Sequence, residues 1–219
     1  MNFLPCNATH SRVPRRAPAG IDVKPRIVLA SGNAGKLAEM RQILAGAGIE
    51  LVAQGELGIA DADENASTFV ENALLKARQA ARESGLPALG DDSGLCVDAL
   101  NGAPGLISAR YAGRHGDSAA NIAKLLHSLR EVPDAQRGAH FHCCIVLLAH
   151  ADDPAPLIAE GHWHGRILHA PRGDRGFGYD PVFLDPASNL SAAELDPMLK
   201  NRISHRGQAL ALLRELLQA

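Results

Sequence analysis

Apolar positions along the chain follow two periods. Ile27-Val28-Leu29-Ala30 is a short continuous apolar run, the pattern of a strand buried on both faces. Leu37, Met40, Ile43 and Leu44 then return at helical spacing until Gly46 and Gly48 break the pattern, and Ile49 to Gln54 reads as a second strand. Thr68-x-x-Glu71 has the residue types of a capping box, and Phe69, Ala73, Leu74, Ala77, Ala80 and Ala81 mark the buried face of the helix behind it. Leu86 to Gly90 predicts a strand that ends directly in Asp91-Asp92-Ser93-Gly94. Asn101 to Gly105 is a turn, and Asp117 to Arg130 an amphipathic helix. Phe141 to Ala149 and Leu157 to Trp163 predict antiparallel strands around Asp152-Asp153-Pro154. A Gly/Pro/Arg loop from Ala170 to Gly178 leads into Tyr179 to Phe183, and a last helix follows Ser204 with Leu210, Leu213 and Leu217 as its stripe. Strands alternating with helices, then a hairpin, predict an α/β fold with a mixed sheet.

Composition bounds the picture. A chain of 219 residues with 46% apolar and 21% charged residues buries a substantial core and is not mainly disordered. Residues 1–25 contain four prolines and no apolar periodicity, which predicts a disordered N-terminal extension before a single domain from 26 to 219. The net charge of −2 divides unevenly: residues 1–26 carry +4 and the remainder −6. A body of that sign makes no stable nucleic-acid partner, so any phosphate site must be local. The longest apolar run, Cys143 to Ala149, is seven residues and too short to cross a bilayer, and the N-terminus shows no signal-like apolar region. Four cysteines without C-x-x-C spacing predict a reducing, cytoplasmic setting.

Five constellations offer chemistry. Ser31-Gly32-Asn33-Ala34-Gly35-Lys36 lies between a strand and a helix, where small residues admit a ligand to the backbone and the helix N-terminus offers unpaired N–H groups. It lacks the spacing of a Walker A loop. Asp91-Asp92, with Asp63 or Glu64 from the acidic loop before the capped helix, supplies an oxygen-only donor set suited to Mg²⁺. Asn72 and Lys76 share one face of that helix. Gly176-Phe177-Gly178-Tyr179-Asp180, Lys200 and Ser204-His205-Arg206 combine an aromatic suited to base stacking with several donors. Finally, a turn near Asp152-Asp153 would set His142 opposite His162 and His140 opposite His164, all on one sheet face. That resembles a transition-metal site, but a polar, partly exposed strand face accounts for the array more readily.

Taken in order, the blocks SGNAGK, TFVENALLKA, GDDSGLCVDALNGAPGLISARYAG, GFGYDPVF and ISHRGQAL resemble the inosine/xanthosine triphosphate pyrophosphatase family from Arg26 to the C-terminus. The resemblance implies a long mixed central sheet flanked by helices, with two lobes around a cleft, and a homodimer. It implies an Mg²⁺-dependent hydrolase that converts ITP, dITP or XTP to the monophosphate and pyrophosphate. Ser31 to Lys36 would hold the triphosphate, with Gly32, Ala34 and Gly35 as backbone contacts, and Lys76 would add charge. Glu64, Asp91 and Asp92 would surround Mg²⁺, with Asp92 activating water and Ser93 touching substrate. Phe177, Gly178, Tyr179, Asp180, Lys200, His205 and Arg206 would form the base and sugar pocket. His140, His162 and His164 have no place in the family pattern, which argues against a metal there. A cationic donor such as Arg206, helped by His205, would pair with the 6-oxo group of hypoxanthine or xanthine and meet the 6-amino group of adenine donor to donor, a mismatch costing about 1–3 kcal/mol.

Overall fold

The computed structural model describes residues 25–45 and 48–218, so the N-terminal extension and Gly46 lie outside the described residues. Seven strands form one sheet in the order β2-β1-β3-β4-β5-β6-β7: β1 (Arg26–Ala30), β2 (Glu50–Ala53), β3 (Ala88–Val97), β4 (Gly138–Leu148), β5 (Leu157–Ile167), β6 (Phe183–Asp185) and β7 (Leu190–Ser191). The β1 pairings with β2 and β3 are parallel and the rest antiparallel, as expected for an α/β fold with a mixed sheet. Five helices accompany it: α1 (Ala34–Ile43), α2 (Phe69–Ser84), α3 (Ser118–Ser128), α4 (Pro197–Ile203) and α5 (His205–Gln218).

The helix starts follow local chemistry. Asn33 caps α1 by accepting from the Lys36 amide, and Asp117 caps α3 through Ala120. Thr68 caps α2, but Glu71 returns its carboxylate to the Thr68 hydroxyl at 2.8 Å. The short α4 has no apolar period of its own, and Asp196 with Pro197 at its first position starts it. Along α5, Leu210 and Leu213 are buried, whereas Leu217 is 45% exposed, one turn past the last residue the core holds.

One expectation changes. The strand predicted to stop at Gly90 runs on through Asp91-Asp92-Ser93-Gly94 to Val97. The reason is its partner: β4 pairs with β3 over the full length, Ala88 opposite Leu148 through Val97 opposite Ala139, and so meets the backbone groups a turn would have met. On the other side, β1 pairs with β3 only from Ala88 to Gly90 and then gives way to the Ser31 turn. Beyond Gly90, β3 therefore lacks β1 as a neighbour, and that gap opens beside the start of α1.

Apolar packing divides along the sheet. One cluster joins α1 and α5 to β1–β5 through Leu29, Met40, Ile145, Leu210 and Leu213, while Ala73 and Ala77 of α2 pack the opposite face against Cys144, Val146 and Leu148. A second core, with Leu95, Leu125, Leu129, Trp163 and Phe183, lies at the far ends of β3–β5 under α3. Two helices touch the sheet backbone to backbone. A Cβ on Gly90 would lie 2.0 Å from the Ala73 carbonyl oxygen, and one on Gly161 would lie 2.0 Å from that of His205. No helix among the described residues is long and apolar enough to cross a membrane.

The hairpin turn is pinned by Asp153, whose carboxylate accepts from the Ala149 and Ala155 amides at 2.9 Å each. His140 faces His164 and His142 faces His162, the register read from the sequence. Because α2 rests directly on Gly90, Gly90→Ala should force the helix off the sheet and lower stability by about 1–3 kcal/mol. Urea unfolding monitored by far-UV circular dichroism measures it.

Candidate active site

A cleft of ≈ 930 Å³ opens where β1 ends and β3 continues, within the size range of small-molecule sites. Its walls include every residue the family resemblance assigns to substrate or metal except Ala34, Gly35 and Asp91, whereas Asn72, Gly176, Ser204 and the four hairpin histidines do not line it. Gly35 sits just behind: a Cβ there would lie 2.8 Å from the Phe177 ring, so the aromatic from the distant GFGYD loop rests on the start of α1. Ala34 is the first residue of that helix. Ser31 Oγ accepts from the Asn33 amide at 3.2 Å and holds the turn.

The two adjacent aspartates part company because neighbouring residues on a strand point to opposite faces. Asp91 is fully buried on the α1/α5 face. Lys36 Nζ contacts its Oδ1, and Arg206 Nε donates to Oδ2 at 2.9 Å. The Ser93 hydroxyl adds 2.9 Å to Oδ1, and the Cys143 thiol lies 3.5 Å from Oδ2. Burial alone would raise the Asp91 pKa, but the Arg206 and Lys36 charges outweigh it and hold the carboxyl well below the usual range. Both oxygens are thus taken by cations, and the group does not line the cleft.

Asp92 faces α2. Its Oδ1 accepts from Lys76 Nζ at 2.8 Å, and its Oδ2 from the Asn72 amide at 3.2 Å. Lys76 also donates to Glu64 Oε1 at 2.8 Å, so one ammonium bridges two carboxylates. Burial lifts the Asp92 pKa above the ordinary carboxylate value despite Lys76. For Glu64, burial would raise the pKa, yet Lys76, Lys36 and Arg110 together keep it lowered. Lys76 stays protonated: burial opposes its charge, but Asp92 and Glu64 prevail. Among the described residues no group of three His, Cys, Asp or Glu side chains is arranged to hold a metal ion. Glu64 and Asp92 instead offer a pair of hard carboxylates beside a phosphate-sized cradle. That is the protein's usual share of an Mg²⁺ site whose remaining ligands are water and substrate phosphate. Asp63 is exposed on the cleft wall, without a side-chain contact to this pair.

At the other end, the Asp180 carboxylate accepts from the Phe177 amide at 2.8 Å and from Lys200 Nζ at 2.7 Å. Gly176 at φ +76° is required here, since a Cβ would collide with that carboxylate. The Tyr179 hydroxyl donates to the Ser108 carbonyl at 2.9 Å, tying this loop to the segment after β3, and burial raises its pKa. Lys200 Nζ sits 5.3 Å from the Phe177 ring centroid. Gly178 at φ +60° turns the chain beside it.

Several contributors were not legible beforehand. Glu39 of α1 accepts from Lys200 Nζ at 2.9 Å and contacts Arg206 Nη1. Arg110 donates to Glu64 Oε2 at 3.4 Å and to its carbonyl at 3.2 Å, and Asp61 leans over Gly32. Phe141 of β4 lines the cleft and stacks on His205 at 4.7 Å and 11°. Glu39 and Arg110 lie on segments whose pattern says only helix and turn, and their partners are far away in sequence. Arg206 departs from expectation in what it spends. Its donors go to Asp91, Glu39 and, at 3.4 Å, Ser93 Oγ. Nδ1 of His205 is the one buried side-chain polar atom without a partner among the described residues. Burial and the neighbouring Arg206 hold this imidazole well below its usual pKa, so the ring is neutral at pH 7.

The chain matches the Ham1 family over residues 27–216. It is 62% identical over 194 residues to a dITP/XTP pyrophosphatase of Xanthomonas axonopodis pv. citri (strain 306), covering 89% of this chain and 98% of that protein. It is 54% identical over 188 residues to one of Vibrio cholerae serotype O1, covering 86% and 94%. Among solved structures, a HAM1 protein from Coxiella burnetii superposes with a TM-score of 0.82 at 52% identity, over 89% of this chain and 98% of that one. A nucleoside-triphosphatase / dITP/XTP pyrophosphatase from Mycobacterium abscessus gives 0.68 at 44% identity, over 88% and 99%. A family-model match over residues 27–216, relatives covered over nearly their whole length and matching architecture lead to one assignment: the chain belongs to the Ham1 family.

Proposed function

We propose that this chain is an Mg²⁺-dependent nucleoside triphosphate pyrophosphatase acting on non-canonical purine nucleotides (ITP, dITP and XTP). Relatives 54–62% identical along nearly their full length are named dITP/XTP pyrophosphatases, which supports both the enzyme class and the substrate class. The observation that carries the chemistry is the Asp92–Lys76–Glu64 arrangement beside the Ser31–Lys36 turn.

A triphosphate in the cleft would meet the N-terminal amides of α1, Lys36 and Lys76. Glu64 and Asp92 would hold Mg²⁺, which when bound lowers the pKa of a coordinated water and spreads transition-state charge. Asp91 takes a different part from the one its neighbour suggests: it fixes Lys36 and Arg206. Water oxygen attacks the α-phosphorus, the bond to the β-phosphate bridging oxygen breaks, and pyrophosphate leaves with the monophosphate behind. Asp92 receives the water proton. The base would lie by Phe177 and the Phe141–His205 stack. There the unpartnered Nδ1 of neutral His205 can donate to a 6-oxo group, beside what remains of the Arg206 guanidinium. A homodimer and a two-lobed domain spanning 26–219 complete the reading by family resemblance, the cysteine usage adds a cytoplasmic setting, and light scattering tests the first.

With Mg²⁺ present, pyrophosphate release from ITP, dITP and XTP should exceed release from ATP by about five- to 150-fold in kcat/KM, the range set by about 1–3 kcal/mol for a buried unmet donor. Orthophosphate as first product, or equal rates on ATP, would reject the reading. Asp92→Asn should lower kcat by about 10²–10⁴ while circular dichroism and unfolding midpoint stay near wild type.

The neutral His205 also sets a pH dependence of stability. Its folded pKa is depressed below the ordinary 6.5, so the unfolded chain takes up a proton first as pH falls. Stability from this group is intact above pH 6.5 and declines below it by about 1.4 kcal/mol per pH unit until the folded pKa is reached. Unfolding free energies from urea titrations between pH 7.5 and 5.5 should show at least that slope, with His140 and His142, whose pKa values burial also lowers, adding to it, and His205→Asn should reduce it by the His205 share.

A further inference from the structure

The imidazoles on the hairpin lie outside the cleft. Strand alternation sends Phe141 into the cleft and His140 and His142 to the opposite sheet face, where β5 adds His162 and His164. α2 covers that face only as far as its first turn, where Phe69 stacks on His142 with ring centroids 4.5 Å apart. Past that point the four rings form a contiguous patch: His142–His162 at 4.5 Å, His140–His164 at 5.4 Å and His140–His162 at 5.9 Å between centroids. His162 and His164 are exposed.

One pair is closer than packing requires. His142 Nδ1 and His162 Nε2 are joined by a hydrogen bond of 2.7 Å. On the far side of the His142 ring, Glu160 Oε1 lies 3.5 Å from Nε2. A carboxylate there favours the tautomer with hydrogen on Nε2 and leaves the Nδ1 lone pair aimed at His162, the second-sphere arrangement that orients metal-binding histidines. His162 Nε2–H then donates to that lone pair, and moving this proton to Nδ1 of the same ring would free both facing nitrogens for an ion with no net proton release.

The separation selects the geometry. Two cis nitrogens each about 2 Å from a tetragonal ion are about 2.8 Å apart. Two tetrahedral ligands of zinc at the same bond length are about 3.3 Å apart. The observed 2.7 Å fits the first and would have to open by about 0.6 Å for the second. Because no third His, Cys, Asp or Glu converges among the described residues, the site is a pair completed by water.

We propose that His142 Nδ1 and His162 Nε2 form a cis di-imidazole site for a tetragonal transition-metal ion of the nickel(II) or copper(II) class, separate from the Mg²⁺ chemistry of the cleft.

The test uses tag-free, chelator-stripped full-length protein without nucleotide. Isothermal titration with Ni²⁺ should give one site per chain, bound more tightly than Zn²⁺. With one equivalent of Cu²⁺, the electron paramagnetic resonance spectrum should show two equatorial imidazole nitrogens. His162→Ala alters an exposed side chain and should keep the fold by circular dichroism, yet weaken Ni²⁺ binding at least tenfold and leave one imidazole on copper. Unchanged affinity in that variant, a persistent two-nitrogen spectrum, or tighter binding of Zn²⁺ than of Ni²⁺ would overturn the assignment.

Discussion

A buried carboxylate in the middle of β3 organises this molecule. Asp91 has no access to solvent, and its charge survives because Lys36 from the start of α1 and Arg206 from the start of α5 both reach it. Removing either cation would leave a charge in a low-dielectric interior, which is why such pairs cost far more to break than they gain by forming. The consequence is geometric. Two helices far apart in sequence are held to one strand by their first turns, and their N-termini converge on the same cleft.

From Asp91 a chain of charges runs the length of the site. Arg206 passes to Glu39, Glu39 to Lys200, Lys200 to Asp180, and Asp180 to the amide of Phe177. Its first links lie beside the phosphate cradle and its last beneath the aromatic that a base would meet. Each side chain is fixed by a neighbour of opposite sign, so little rotamer freedom remains to be lost when a ligand enters. Lys200 stays protonated within this chain: burial works against its charge, but Asp180 and Glu39 together outweigh it.

Asp91-Asp92 shows where sequence reasoning reached and where it stopped. The pattern identified the strand, the acidic pair and the cations, and motif order identified the family. Treating residues 91–94 as the end of a strand placed both carboxylates beside one ion. Pairing with β4 makes them mid-strand residues on opposite faces, each with its own cation. Nothing local could reveal this, because the decisive partner is about fifty residues away. The same distance hid Glu39, whose contacts are more than 150 residues along the chain. By contrast, the histidine register was legible. A two-strand hairpin with an Asp-Asp-Pro turn leaves few alignments, and Asp153 fixes one of them through bonds within a few residues.

β4 shows how one segment serves two surfaces. Alternate residues of Gly138–Leu148 divide cleanly: Phe141, Cys143, Ile145 and Leu147 face α5 and the cleft, while His142, Cys144, Val146 and Leu148 face α2. On the first face Phe141 lines the cleft, stacked on His205, while Cys143, Ile145 and Leu147 join the core under α5. Those on the second are covered until α2 begins and emerge beyond it as imidazoles. A period of two thus lets substitutions on the histidine face proceed without touching the pocket, provided the register holds. The two cysteines in the middle mark the limit of that independence. Both are reduced and buried: Cys144, its pKa pushed by burial up to about 12, is a small apolar filler under α2, while the Cys143 thiol on the other face also donates to Asp91 Oδ2 at 3.5 Å.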